Sequence, residues 1–377
     1  MSANNEILIL QYSQVLMRSR FIWPPNGEED NPSKRYYLTI MLIIAFSCSI
    51  VNGNLIHLVQ HVIINGEMEN IGMDITSILG FTGCLFFTCN IIKSIAKFIK
   101  VLRILSDLKT HGIPNGFDEQ NKKLNFYSKM FAMYMYIAMT IITFSSTVNM
   151  GYCFDKPACG MLIPPVMPFD IDHYPGKLFY FILKLVALIL IYHTGGILSF
   201  AVMEVLEHII FRLDDVKNKF VQALNPENPN RDKDLKEAIE YHNFVINVSQ
   251  EYNEVIKPCM LVHVILTGVM LGATFWFTFV KFTLDSLVIC LGYFTAMGCV
   301  SIGGQRLMEA SESVADVVCT TCWYGVELKL QKALILVIAR SRRPLYILAG
   351  TLGIVNFTLI IGTLKTAYSW MTLLTNY

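Results

Sequence analysis

Long apolar runs separated by charged loops dominate this chain of 377 residues. A helix that crosses a bilayer needs about 20 mostly apolar residues. Seven runs fit that description: Tyr37–Ile64, Ile71–Ile95, Met130–Met150, Leu178–Met203, Pro258–Phe282, Ser286–Ile302 and Leu345–Leu374, of which Ser286–Ile302 is the shortest. Two long polar stretches interrupt the series. Ser94–Lys129 is basic and contains the turn Gly112-Ile-Pro-Asn-Gly116. Glu204–Lys257 is rich in charge and is broken by Asn225-Pro-Glu-Asn-Pro-Asn230. On either side of that breaker, Val205–Leu224 and Asp234–Val255 mix apolar and charged residues at helical spacing. This spacing predicts that the neighbouring spans continue as helices beyond the membrane. No internal repeat or low-complexity tract is visible, so a single all-α membrane domain over residues 1–377 is expected.

Composition strengthens the membrane reading. Hydrophobic residues make up 54% of the chain and charged residues 16%, against about 25% charge in soluble domains. Mean hydropathy is +0.47. A chain this apolar cannot present a water-compatible surface, which leaves lipid as its solvent. The first 36 residues lack a basic start, a long apolar run and a small-residue cleavage site, so the first apolar segment is expected to act as a signal anchor. The net charge of +1 gives no sign of nucleic-acid binding.

The placement of charge is more informative than its sum. The N-terminal tail has four Lys and Arg residues: Arg18, Arg20, Lys34 and Arg35. The loops after the second, fourth and sixth spans hold eight, seven and six, from Lys93 to Lys129, Arg212 to Lys257 and Arg306 to Arg343. The opposite side holds Lys156, Lys177 and Lys281, and Lys184 and Lys365 fall within spans. Positive loops stay cytoplasmic. The N-terminus is therefore expected inside and, with seven spans, the C-terminus outside. That orientation is the reverse of a receptor coupled to G proteins. An Asp/Glu-Arg-Tyr triplet after the third span and an Asn-Pro-x-x-Tyr in the last are also missing.

Enzyme signatures are absent: there is no Gly-rich phosphate loop, no His-Glu-x-x-His and no Gly-x-Ser-x-Gly elbow. Neither a metal nor a cofactor is implied. His57 and His61 lie one helical turn apart without further ligands and read as an interfacial or packed pair. Cys153 and Cys159 share a polar loop on the expected outer side, where a disulfide would form in an oxidising compartment. Ionisable residues within spans are functional candidates. Lys184 and Lys365 qualify, and both also fit snorkelling to the outer interface. Near the C-terminus, Lys365 has Tyr368 and Ser369 beside it, and Met371, Leu374 and Thr375 share one helical face. Such a face either lines an aqueous path or packs against neighbouring helices. Aromatic residues cluster in the outer halves of the spans, at Phe144, Tyr152, Phe179, Tyr180, Phe181, Phe275, Phe277 and Tyr293. They suit an apolar ligand cavity or an interfacial belt.

The C-terminal third resembles the insect odorant receptors. The resemblance rests on Cys322-Trp-Tyr324, on the run Lys332-Ala-Leu-Ile-Leu-Val-Ile-Ala-Arg-Ser-Arg-Arg-Pro-Leu345, and on Leu364-Lys-Thr-Ala-Tyr-Ser-Trp-Met-Thr-Leu-Leu374. Phe21-Ile-Trp-Pro-Pro25 is similar to the family's opening. The resemblance implies a ligand-gated, non-selective cation channel of four subunits in the plasma membrane of olfactory sensory neurons. It implies an intracellular anchor, here mainly 204–257 and 303–345, and a last helix at about 345–376 that lines the pore with Met371, Leu374 and Thr375. Lys365, Tyr368 and Ser369 would then gate or brace that helix. A small volatile odorant is expected in the outer halves of the second to sixth spans. On this chain those positions carry Thr76, Leu79, Gly80, Phe144, Thr147, Val148, Tyr152, Phe181, Lys184, Leu185, Leu188, Cys290 and Tyr293. The short loop between the fourth and fifth spans is that of an odorant-specific subunit, whose partner would be the longer odorant receptor coreceptor. A gustatory-type channel would carry Thr-Tyr-x-x-x-x-x-Gln-Phe in its last helix, whereas here Tyr368 is followed by Thr375 seven residues on. A secondary transporter would show inverted repeats and broken helices, and neither is apparent.

Overall fold

The computed structural model describes residues 7–60, 71–152, 173–280 and 284–375, without the side chains of 71–74, 146–152, 174, 177, 184, 191, 192, 277, 280 and 285. These residues form eleven α-helices: α1 (Gln11–Ser19), α2 (Lys34–Leu58), α3 (Ile71–Lys93), α4 (Ile95–Ser106), α5 (Phe117–Tyr152), α6 (Tyr174–Ala187), α7 (His193–Ala223), α8 (Arg231–Val280), α9 (Leu284–Thr320), α10 (Leu328–Ser341) and α11 (Phe357–Thr375). A π-helical turn, Leu188–Tyr192, joins α6 to α7 without a break. Among the described residues β pairing is limited to one isolated bridge, Leu348 with Ile354.

Five helices among the described residues are long and apolar enough to cross a membrane: Lys34–Leu58, Ile75–Lys93, Leu178–Ala223, Arg231–Trp276 and Ser286–Thr320. Burial shows what their surroundings must be. Only 28% of the apolar stretch of α2 is buried inside the molecule, against 69% for Leu178–Ala223. Leu38, Met41, Leu42, Leu55 and Ile56 all point outward from α2. Water would not tolerate that continuous apolar face, and hydrocarbon does. Of the two remaining expected spans, α5 continues into positions whose side chains are not described. The other, α11, is made less apolar by Lys365, Tyr368, Ser369 and Thr372.

The helices run well past the membrane, as the charged amphipathic flanks predict. At 1.5 Å per residue, the 50 residues of α8 reach about 75 Å, more than twice the roughly 30 Å hydrocarbon core. Pro258 sits inside α8 where charged positions give way to apolar ones. The charged halves of α7, α8 and α9 pack together with α4 and α10 around one apolar core that includes Leu213, Phe220, Tyr241, Tyr252, Val314 and Leu334.

Buried polar anchors hold that assembly in register. The Arg212 guanidinium is 2% exposed. It donates to the carbonyls of Leu105 and Asp107 and to the Tyr241 hydroxyl, and it lies 6.0 Å from the centre of the Phe244 ring. Arg231 at the start of α8 donates to the carbonyls of Leu224, Cys322 and Gly325. It thereby fastens the Cys322-Trp-Tyr324 turn, which explains why that motif stands where it does. Glu207 on α7 pairs with Arg306 on α9. The N-terminal segment is part of the same core. Trp23 is 1% exposed and meets the Phe98 ring edge-on at 6.1 Å. The Ser13 hydroxyl donates to Glu204 Oε2 at 2.6 Å, and Ser128 Oγ lies 2.6 Å from Ser13 Oγ, so α1 is tied to both α5 and α7.

One expected boundary is corrected. The last helix begins at Phe357 rather than near Leu345. Residues 345–356 fold back as a tight hairpin, with the Val355 amide donating to the Ile347 carbonyl and the Ala349 amide to the Gly353 carbonyl. Gly350 and Gly353 take φ of +55° and +127°, values that interrupt any helix. The amides of Leu345 and Leu348 donate to Ser311 Oγ and Asn253 Oδ1, so the hairpin is moored to α9 and α8.

Candidate ligand cavity

Five helices converge on one cavity in the apolar half of the bundle. From α3 come Leu79, Gly80, Gly83, Cys84 and Phe87, and from α5 Met135; α7 adds Gly195, Gly196 and Ser199. The far wall is Cys259, His263, Leu266 and Thr267 of α8 with Gly292, Tyr293 and Ala296 of α9. The cavity measures about 60 Å³, several times the roughly 10–15 Å³ that one water needs on the same measure. The room is created where side chains are missing. A Cβ on Gly195 would come within 2.6 Å of Cys84 Sγ, so α3 and α7 could not approach this closely with any larger residue. The preceding π-helical turn shifts the register of α7 as it enters the site, a feature that recurs at functional positions in helices.

Leu79, Gly80 and Tyr293, expected as ligand contacts, do line the cavity. Thr76, Leu188 and Cys290 are buried but are not on its wall. Phe181 and Leu185 are half-buried on α6. Phe144 is 68% exposed and looks away from the bundle. The side chains of Thr147, Val148, Tyr152 and Lys184, and the whole of Cys153 and Cys159, lie outside the described residues. The cavity also reaches beyond the halves of the spans that were expected to face outside. Gly195–Ser199 and Cys259–Thr267 lie in the halves of the apolar spans Leu178–Met203 and Pro258–Phe282 that adjoin the Lys- and Arg-rich loop between them.

Met135, Cys84, Gly196, Cys259, His263 and Thr267 were not anticipated. Three of them carried a visible signal. Cys259, His263 and Thr267 recur every four residues inside an apolar span, which puts them on one face of α8. Among the described residues no three His, Cys, Asp or Glu side chains are grouped as metal ligands would be.

Helix α11 rests on α8 through small residues. A Cβ on Gly272 would lie 2.6 Å from Trp370 Cβ and 2.7 Å from the Ala367 carbonyl oxygen; close packing of this kind holds membrane helices together. Thr363 and Ala367 face that seam and are buried. Lys365, Tyr368, Ser369 and Thr375 are exposed, while Met371 and Leu374 are partly covered. Ser369 Oγ donates back to the Lys365 carbonyl at 3.0 Å. One long face of α11 is therefore free of its own subunit.

Comparison with known proteins fits this architecture. The profile of the 7tm odorant receptor family matches residues 65–368. The chain is 26% identical over 145 residues to odorant receptor Or2 of Anopheles gambiae, covering 37% of this chain and 38% of that one. It is 25% identical to the putative odorant receptor 85d of Drosophila melanogaster over 37% of this chain and 35% of the relative. These two matches thus span less than half of each relative. A longer match, 22% identical, is to odorant receptor 82a of the same fly and covers 68% of this chain and 69% of the relative. The fold is that of the insect olfactory receptor OR5 from Machilis hrabei. The complex of that receptor with eugenol superposes with a TM-score of 0.83 at 13% identity, covering 97% of both chains, and a second structure of the same receptor does so with 0.82 at 12%. A helical multi-pass membrane chain whose sequence matches the family profile from residue 65 to residue 368 belongs to the insect 7tm odorant receptor family, which is not a family of enzymes.

Proposed function

We propose that this chain is the odorant-specific subunit of a ligand-gated, non-selective cation channel in the plasma membrane of olfactory sensory neurons. Seven spans with the N-terminus inside place the anchor formed by α7–α10 in the cytosol and the end of α11 at the outer surface. Four subunits meet around a central pore, with the odorant receptor coreceptor supplying the others. The observation that carries this reading is the pairing of a mostly apolar cavity between five helices with a last helix that leaves one long face uncovered. A small volatile ligand fits the first, and a shared pore or subunit contact fits the second.

Opening follows from differential affinity. A ligand shifts the channel toward the open state only as far as it binds that state more tightly. Helix α8 lines the cavity with His263, Leu266 and Thr267 and carries α11 on Gly268 and Gly272. These two sets follow one another directly along about three turns of α8, so a rotation or bend that adjusts the cavity also moves the seat of α11. Expression of this chain with and without the coreceptor, screened with a volatile panel, tests the proposal. Odour-evoked cation current is expected only when both chains are present. Silence to every volatile despite surface expression of both would refute it.

A further inference from the structure

Hydroxyl groups within the apolar part of this bundle mostly bond to the backbone of their own helix. Thr88 donates to the Cys84 carbonyl at 2.8 Å, Thr194 to Leu190 at 2.7 Å, Ser199 to Gly195 at 2.9 Å, and Thr274 to Met270 at 2.8 Å. In lipid a hydroxyl left without a partner is costly, and such back-bonding to the residue four earlier is the local remedy. Thr267 departs from this pattern. Its side chain is fully buried and lines the cavity, yet its Oγ1 has no partner among the described residues. One turn away on the same face, His263 Nε2 is likewise shut off from solvent and unpartnered, with the ring held against Phe87 at 6.3 Å. Ser301 Oγ is also unpartnered, but it is not on the cavity wall.

We infer that His263 and Thr267 form a hydrogen-bonding seam that selects ligands carrying a hydroxyl group on an otherwise apolar frame. The inference rests on the odorant-binding reading and names the ligand class for that cavity. Residues four apart on a helix have Cβ atoms about 5–6 Å apart, so one small oxygen between them can reach both side chains. A ligand hydroxyl both donates and accepts. It can donate to His263 Nε2 while accepting from the Thr267 hydroxyl, or accept from a protonated Nε2 while donating to Thr267, so either ring tautomer suits it. A hydrocarbon of the same shape satisfies neither group and leaves both buried without partners. Sites built this way discriminate by the penalty on the unpaired protein groups rather than by shape.

The test uses shape-matched pairs: hexan-1-ol against heptane, and benzyl alcohol against ethylbenzene. Binding is read as the thermal shift of the full-length chain in lipid nanodiscs, and response as current from the chain expressed with the coreceptor. Wild type is expected to prefer the alcohol of at least one pair by roughly tenfold or more in half-saturating concentration. Thr267→Val, nearly equal in volume, should abolish that preference without weakening the hydrocarbon, and Thr267→Ser should keep it. His263→Phe should reduce the preference in the same direction. Equal affinity for both members of each pair, no binding of any member, or a preference that survives Thr267→Val overturns the inference. The two readouts separate this failure from failure of the channel reading. An alcohol preference in the thermal shift, lost in Thr267→Val and unaccompanied by any current, supports the seam while counting against the channel. Current with equal potency of alcohol and hydrocarbon does the reverse.

Discussion

Gly196 faces Met135 so closely that a methyl group in place of its hydrogen would fall within contact distance of the Met135 methyl. Met135 is flexible, so Gly196→Ala should fold, with the thioether pushed into the cavity. The expected result is surface expression near wild type with half-maximal ligand concentration raised about tenfold or more, equivalent to about 1.4 kcal/mol of lost binding. A dose–response curve for any agonist found in the volatile screen decides it, and an unchanged curve would remove Gly196 from the ligand site. About two turns further along α7, Glu204 is fully buried and accepts from Ser13. Glu204→Ala leaves the two serine hydroxyls only each other and should destabilise the folded chain by about 1–3 kcal/mol, seen as a lower melting temperature and faster proteolysis ahead of α2. The residue scale was the least legible in the sequence. The outer aromatics suggested a pocket, yet Phe144 turns outward, while the decisive absences of side chain at Gly195 and Gly196 carry no pattern of their own. In a helix that is apolar all round, periodicity does not distinguish the face that meets lipid from the face that meets the core.

Helices show a different balance. The amphipathic flanks at Val205–Leu224 and Asp234–Val255 announced that the helices continue beyond the membrane, because there one face meets water and the hydrophobic pattern regains its period. His242, on the charged half of α8, sits 3.5 Å from Ser341 Oγ of α10 and edge-on to Phe220 at 6.1 Å. Burial, reinforced by the Arg340 charge, lowers its pKa from 6.5 to about 4. His208 on α7 is shifted the same way, to about 3, by burial and Arg212. The unfolded chain therefore binds protons below about pH 6.5 that these two folded-state imidazoles refuse, so their contribution to stability is complete above that pH and falls as pH drops toward 4. Thermal melts across pH 7.5 to 5 should show the loss, and His242→Leu should flatten it; a parallel loss in that variant would exclude His242 as a source. At the other end of α8, Gly272→Val would force the α11 seam apart and should abolish current while leaving α1–α10 folded, as judged by cytosolic protease resistance. The expected helix from Leu345 failed for a readable reason. The run is apolar, but Gly350 and Gly353 punctuate it, and hydropathy alone does not register backbone handedness.

For the whole molecule, the uncovered face of α11 is the feature that one subunit cannot account for. If four such helices surround a pore, charge added on the face that lines it alters permeation. Met371→Glu, coexpressed with the coreceptor, is expected to shift reversal potential or rectification in ion-substitution recordings. Unchanged permeation would take Met371 away from the conduction path. Lys365, Tyr368 and Ser369 occupy the more open face, so substitutions there should affect permeation or gating at least as strongly.

The sequence by itself determined the solvent and the order of the elements. A 54% hydrophobic chain must meet lipid, and charged loops mark where each helix leaves it. The helix breaker at Asn225–Asn230 follows from the same local rules. Only the tertiary structure decided which face of each apolar helix turns inward, where glycines from α3 and α7 leave a void, and which buried hydroxyl is left without a partner. Those outcomes depend on how five helices pack at once. Inside lipid no contrast between polar and apolar faces along any one helix encodes them.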